Sequence, residues 1–144
     1  MQNTWNFNNT IGVVTLGDFV SDNKYDGLLI LLEKWDYEYY DTYAIKDGHS
    51  SKVFAREGVI CEYLCGGNFI ISGRNYMGSK LKDLSTVLVE AGASITSSTE
   101  DNFKLSIGDF TIRIWVVDAL VAWVNISLKH HPVITEAESI ERSK

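Results

Sequence analysis

The sequence predicts an α+β domain, mainly antiparallel sheet in hairpins or a meander, with one clear helix at about 80–91 packed on it. Three observations carry this. Residues 103–116 alternate apolar and polar side chains around a Gly108-Asp109 turn, residues 80–91 hold one amphipathic helical stripe, and turn residues recur at short intervals on both sides of that stripe.

Taken in order, Ile11 to Leu16 is expected to be an opening strand. Residues 21–35 fit two patterns. Tyr25, Leu28, Leu29, Leu32 and Trp35 make a helical stripe, while Leu28 to Leu32 also fits a buried strand; Gly27 weakens the helix, and the strand is the preferred reading. Tyr37 to Ile45 predicts another strand, closed by Lys46-Asp47-Gly48. Lys52 to Arg56 reads as a short extension of the strand that follows it. Val59 to Leu64 and Phe69 to Ser72 predict a hairpin about Gly66-Gly67.

The helix is the clearest element. Leu81, Leu84, Leu88 and Ala91 recur on one face, with Lys82, Asp83 and Glu90 off it; Ser79 is placed to cap its start and Gly92 to end it. Phe103, Leu105 and Ile107, then Phe110, Ile112, Ile114 and Val116, make the strongest hairpin, and Val121 to Leu128 adds an antiparallel strand. Residues 68–73 faintly echo 102–108, an echo that hairpin composition alone produces. Residues 1–131 are expected to form one domain and 132–144 a polar tail, where Thr135 and Glu138 are spaced as a capping box.

A chain of 144 residues suits one domain, and at this size roughly 70% of the unfolded surface is buried, so neither disulfides nor metals are needed to hold it. No apolar run approaches the roughly 20 residues that span a bilayer. Residues 1–6 carry no basic or apolar leader, so the chain is expected to be cytoplasmic. Cys61 and Cys65 lie four residues apart. On a shared strand that separates them by about 13 Å, too far for a disulfide, and the pair alone is a poor zinc site.

The formal charge is −6 and it is concentrated. Between Asp18 and Asp41 stand seven acids and two bases, while the remaining twelve acids and eleven bases nearly cancel. The same stretch holds Trp35, Tyr37, Tyr39, Tyr40 and Tyr43. On a strand, Trp35, Tyr37 and Tyr39 would face one way and Lys34, Asp36 and Glu38 the other. Rigid aromatic contact area beside clustered acids suits capture of a basic protein. Direct nucleic-acid binding is disfavoured, because no basic stripe exists to neutralise phosphates.

Other motifs fall short of their chemistry. Asp22 to Glu33 approaches a calcium loop, but Lys24 puts an ammonium where a ligand belongs and Ile30 fills another ligand position. Residues 73–80 resemble a phosphate-binding loop with the final Lys and hydroxyl exchanged, which breaks both contacts; a weak anion site from Arg74, Lys80 and Lys82 at the helix start is more tenable. His49, His130 and His131 belong to no catalytic pattern, and no Ser occupies a nucleophile elbow.

The expectation is therefore a small acidic inhibitor, immunity- or antitoxin-like, that blocks a basic partner such as a nuclease domain. It would have no enzymatic activity, cofactor, metal or membrane contact. Its contact residues would be Asp22, Asp26, Glu33, Trp35, Asp36, Tyr37, Glu38, Tyr39, Tyr40 and Asp41. Two alternatives are a small-molecule or enzymatic domain using a sheet cavity and the helix start near Arg74 and Lys80, and a homo-oligomeric subunit whose aromatic strand pairs with copies of itself.

Overall fold

The computed structural model describes residues 2–36, 40–48 and 50–129. Along these residues run β1 (Thr10–Ile11), β2 (Val14–Thr15), a 3-10 turn (Asn23–Tyr25), β3 (Leu29–Asp36), β4 (Tyr40–Ile45), β5 (Lys52–Arg56), β6 (Val59–Cys65), β7 (Ile70–Ile71), β8 (Arg74–Asn75), α1 (Leu81–Glu90), β9 (Ser94–Ser98), β10 (Asn102–Ile107), β11 (Phe110–Val117) and β12 (Leu120–Leu128). Eight strands form one antiparallel sheet in the order β3-β4-β5-β6-β12-β11-β10-β9. Two four-stranded meanders thus meet through the last strand of each. The fold class read from the pattern holds: a mostly antiparallel sheet with a single helix among the described residues.

The two central strands arise in the same way. Each enters from a two-residue turn with both residues at positive φ, Glu57 (54°) and Gly58 (76°) before β6, Asp118 (53°) and Ala119 (64°) before β12. Turns of that kind match the twist of the strands they join. Each hairpin then carries one extra residue, Cys61 between the pairs Phe54↔Glu62 and Ala55↔Ile60, and Ala122 between Trp115↔Trp123 and Val116↔Val121. Leu64 and Asn125 hold equivalent places six residues past these turns and pair with each other; around them Tyr63 faces Ile126 and Cys65 faces Val124. The centre of the sheet therefore has an approximate two-fold register.

One face of the sheet is the core. Val53, Ile60, Tyr63, Cys65, Ile112, Ile114, Val124 and Ile126 are fully buried on it. Over them lie the N-terminal segment with Trp5, Ile11, Val14 and Leu16, the link through Phe69 and Ile71, and α1 with Leu84 and Leu88. The indole of Trp5 meets Phe110 edge-on at 5.7 Å and donates its N–H to the carbonyl of Asn8 at 2.7 Å, so its polar end is satisfied inside an apolar cluster.

Several local expectations are corrected. The segment 11–16 is not one strand: Gly12 at φ 60° turns it into the β1–β2 hairpin, and a Cβ there would meet the Gln2 carbonyl at 3.0 Å. Residues 59–64 and 69–72 do not pair; β6 is claimed on both sides by β5 and β12, and β7 pairs instead with β8. Lys52 to Arg56 is a full strand of its own, joined to β6 through the Glu57-Gly58 turn. For 21–35 the strand reading holds over 29–36, preceded by the 3-10 turn. The echo between 68–73 and 102–108 has no structural counterpart, since β7 is a two-residue strand outside the sheet that contains β10.

α1 ends as expected and starts differently. Gly92 at φ 108° closes a Schellman motif, with its N–H on the Val89 carbonyl and that of Ala93 on the Leu88 carbonyl. Ser79 does not cap the start: its hydroxyl donates to the Tyr76 carbonyl at 2.6 Å, and the first helical N–H, on Leu81, is taken by the Ala119 carbonyl. The capping acceptor comes from the β11–β12 turn, almost 40 residues on.

Candidate functional site

Two surfaces carry chemistry outside the core: the β3 border, where the acids concentrate, and the sheet face turned away from the helix.

At the border, Asp22 starts the 3-10 turn by accepting the Lys24 N–H at 3.1 Å. Asp18 is ion-paired to Lys24 at 2.5 Å and accepts the Tyr25 hydroxyl at 2.7 Å. These two contacts, Lys24 first, hold its carboxyl below the usual carboxylate range. One acid of the cluster is thereby compensated. Asp22, Asp26 and Glu33 remain exposed. β3 pairs with β4 on one side only, so its outer edge presents free backbone groups among the described residues. Along it Ile30, Leu31 and Leu32 are 50%, 50% and 53% exposed. The apolar companions of the acids are thus aliphatic.

Of the other predicted contact residues, Trp35 and Asp36 close β3 and Asp41 is half-buried in β4. Tyr40 is corrected: it is buried, stacked edge-on against Phe54 at 6.3 Å with the Arg56 guanidinium over its ring at 4.3 Å. An aromatic packed in this way supports the sheet and offers little area to a partner. Tyr37, Glu38 and Tyr39 lie outside the described residues, and with them the predicted alternation over 34–39. The same holds for His49, His130, His131 and the tail.

The second surface was not singled out from sequence. On the face opposite the core stand Phe54, Glu62, Leu64, Trp123, Asn125, Arg113, Trp115 and Lys104, placed there by strand alternation. Shallow depressions run across it. One of about 720 Å³ is lined by Leu64, Trp115, Val117, Trp123, Asp101 and Asp118 among others. A second, of about 320 Å³, shares Leu64 and Trp115 and adds Phe54, Glu62 and Arg113. A third, of about 340 Å³, shares Arg113 and adds Lys104, Asn102, Ser97 and Thr99. A signal was present: Thr111, Arg113 and Trp115 alternate with buried Ile112 and Ile114, so a tryptophan and an arginine had to share the outer face.

The helix start does not assemble an anion site. Arg74 is paired to Asp83 at 3.1 Å and stacks on Tyr76 at 4.7 Å, and the Leu81 N–H is engaged by Ala119. Asp22 and Glu33 of the calcium-loop pattern belong to separate elements, and no three His, Cys, Asp or Glu side chains among the described residues converge to hold a metal. Cys61 and Cys65 are free, buried thiols; burial pushes Cys61 up to about 12 and Cys65 higher still. No described helix is long and apolar enough to cross a membrane.

Compared with known protein families, curated proteins and solved structures, the chain finds no match.

Proposed function

We propose that this chain is a small protein-binding inhibitor, immunity- or antitoxin-like, that blocks a basic partner such as a nuclease domain by docking its β3 border against it. The observation that supports this most is the run of exposed Ile30, Leu31, Leu32 and Glu33 on β3, a sheet edge among the described residues, preceded by a 3-10 turn flanked by exposed Asp22 and Asp26. Each part has a physical role. The aliphatic side chains supply area to bury, and the acids speed encounter with a cationic surface. Trp35 and Asp36 extend the same border. Steric occlusion requires no chemistry of the inhibitor, and a cytoplasmic site of action fits two cysteines kept as thiols.

The alternative of self-pairing through β3 is less favoured by the same edge. Its register is irregular between Leu31 and Glu33 and again between Glu33 and Asp36, and Lys34 is exposed on it. Irregularity and an edge lysine are the devices by which strands resist pairing with copies of themselves.

Affinity capture with the wild-type chain and an Asp26→Lys/Glu33→Lys variant, each at low and high ionic strength, tests the proposal. The expected result is a stoichiometric basic protein held by wild type, with an association rate that falls at least about tenfold in the variant or in high salt. Capture that is indifferent to both changes overturns it. Sedimentation showing mass that rises with concentration, abolished by Ile30→Lys/Leu32→Lys, would favour self-assembly instead.

A further inference from the structure

On the sheet face opposite the core Lys104 of β10 and Arg113 of β11 are direct cross-strand partners. Side chains so placed have Cβ atoms about 5 Å apart, and two like charges there oppose the pairing that brings them together. Among the described residues neither cation takes part in an ion pair. Ser97 is the partner of Lys104 on β9, so a hydroxyl, an ammonium and a guanidinium fall in one row across three strands. They line the depression of about 340 Å³ together with Asn102 and Thr99. The Thr99 hydroxyl bridges the backbone of Asn102, donating to its carbonyl and accepting its N–H, which fixes the rim of the depression. Among the described residues no carboxylate lines it. The nearby carboxylates line the adjoining depressions: Glu62, on β6 two strands from β11, the one that Arg113 shares with Leu64 and Trp115, and Asp101 the one between Trp115 and Trp123.

Arg113 is also shared with the depression that holds Leu64 and Trp115. A cationic pocket therefore opens beside an apolar wall. We propose that this face binds a small organic anion, its carboxylate or phosphate head between Lys104 and Arg113 and its planar apolar body against Trp115 and Leu64. The guanidinium fork matches either oxyanion with two parallel hydrogen bonds, and the ammonium adds a point charge. An anion between the two cations offsets their mutual repulsion. This site is distinct from the β3 border and does not rest on the partner proposed there.

Titration of the full chain with phenyl phosphate, benzoate and inorganic phosphate, followed by calorimetry and tryptophan fluorescence, tests it. One of the two aromatic anions should bind at least about fivefold more tightly than inorganic phosphate, and the tighter of the two identifies the head group. Lys104→Gln and Arg113→Gln should each weaken that binding at least about tenfold. Both variants should melt no lower than wild type at low ionic strength, because each relieves the like-charge pair. No saturable binding below about 10 mM, equal affinity for inorganic phosphate, or undiminished binding by both variants would overturn the proposal. Capture of a basic partner through β3 should be unchanged in Arg113→Gln, so either proposal can fail without the other.

Discussion

Asn3 is a buried polar side chain, and it is tolerated there because its amide nitrogen and its amide oxygen are both hydrogen-bonded. Its amide nitrogen donates to Ser51 Oγ at 3.0 Å, to the Gly66 carbonyl at 3.2 Å and to the Asn68 carbonyl at 2.8 Å, while its oxygen accepts the Tyr63 hydroxyl at 2.5 Å. The Tyr63 phenol is held well above its usual range, chiefly by burial. This network ties the N-terminal segment to β6 and to the loop after it. Asn3→Ala strands several buried partners at once and should cost about 2–3 kcal/mol in urea unfolding, and Tyr63→Phe about 1–2 kcal/mol. The double variant should lose less than the sum, because the two side chains share one bond. Nothing in the sequence marks Asn3, since its partners lie 48 to 65 positions away. The outer-face residues Lys104 and Arg113 are nine positions apart in one hairpin, and the two-residue Gly108-Asp109 turn that the sequence predicts sets the register that makes them neighbours.

Elements differ in how much of their geometry is local. The stripe and the closing glycine of α1 are local, and both were readable. Its first N–H is satisfied by a carbonyl from a distant turn, so Ser79 was a reasonable but incorrect cap. The β11–β12 turn holds Asp118 and Ala119 at positive φ without a glycine, a conformation costing roughly 1–2 kcal/mol for an L-residue. Ala119→Gly should therefore stabilise the domain by up to about 1 kcal/mol, after glycine's greater unfolded-state entropy is counted, and raise Tm by about 2–4 °C. At the 3-10 turn, Asp18 has a carboxyl held low by Lys24 and then Tyr25. A depressed carboxyl contributes stability that is present above its unfolded pKa near 4 and is lost as pH falls through the lower folded value. Melting curves of wild type should accordingly drop as pH falls below about 4, and Asp18→Asn, which keeps an acceptor for Tyr25, should flatten part of that drop. A variant with the same acid limb as wild type would show that the pair contributes nothing measurable, as many exposed pairs do.

For the whole molecule the main consequence of folding is the separation of charge. The acidic stretch lies at one border of the sheet, whereas the outer face carries Lys104 and Arg113 as neighbours. A chain of formal charge −6 thus presents a negative border and a locally positive pocket, and both proposed interactions should weaken as ionic strength rises. The sequence by itself determined the α+β class, the helix with its C-terminal stop, the β10–β11 hairpin and the acidic stretch. Each of these depends on residues within about a dozen positions of one another, where periodicity and turn chemistry act directly. Only the tertiary structure decided that β6 pairs with β12, that α1 is capped from the β11–β12 turn, and that Tyr40 is buried. Those outcomes rest on contacts between distant segments, which compete with local preference and are set by which faces can be buried together.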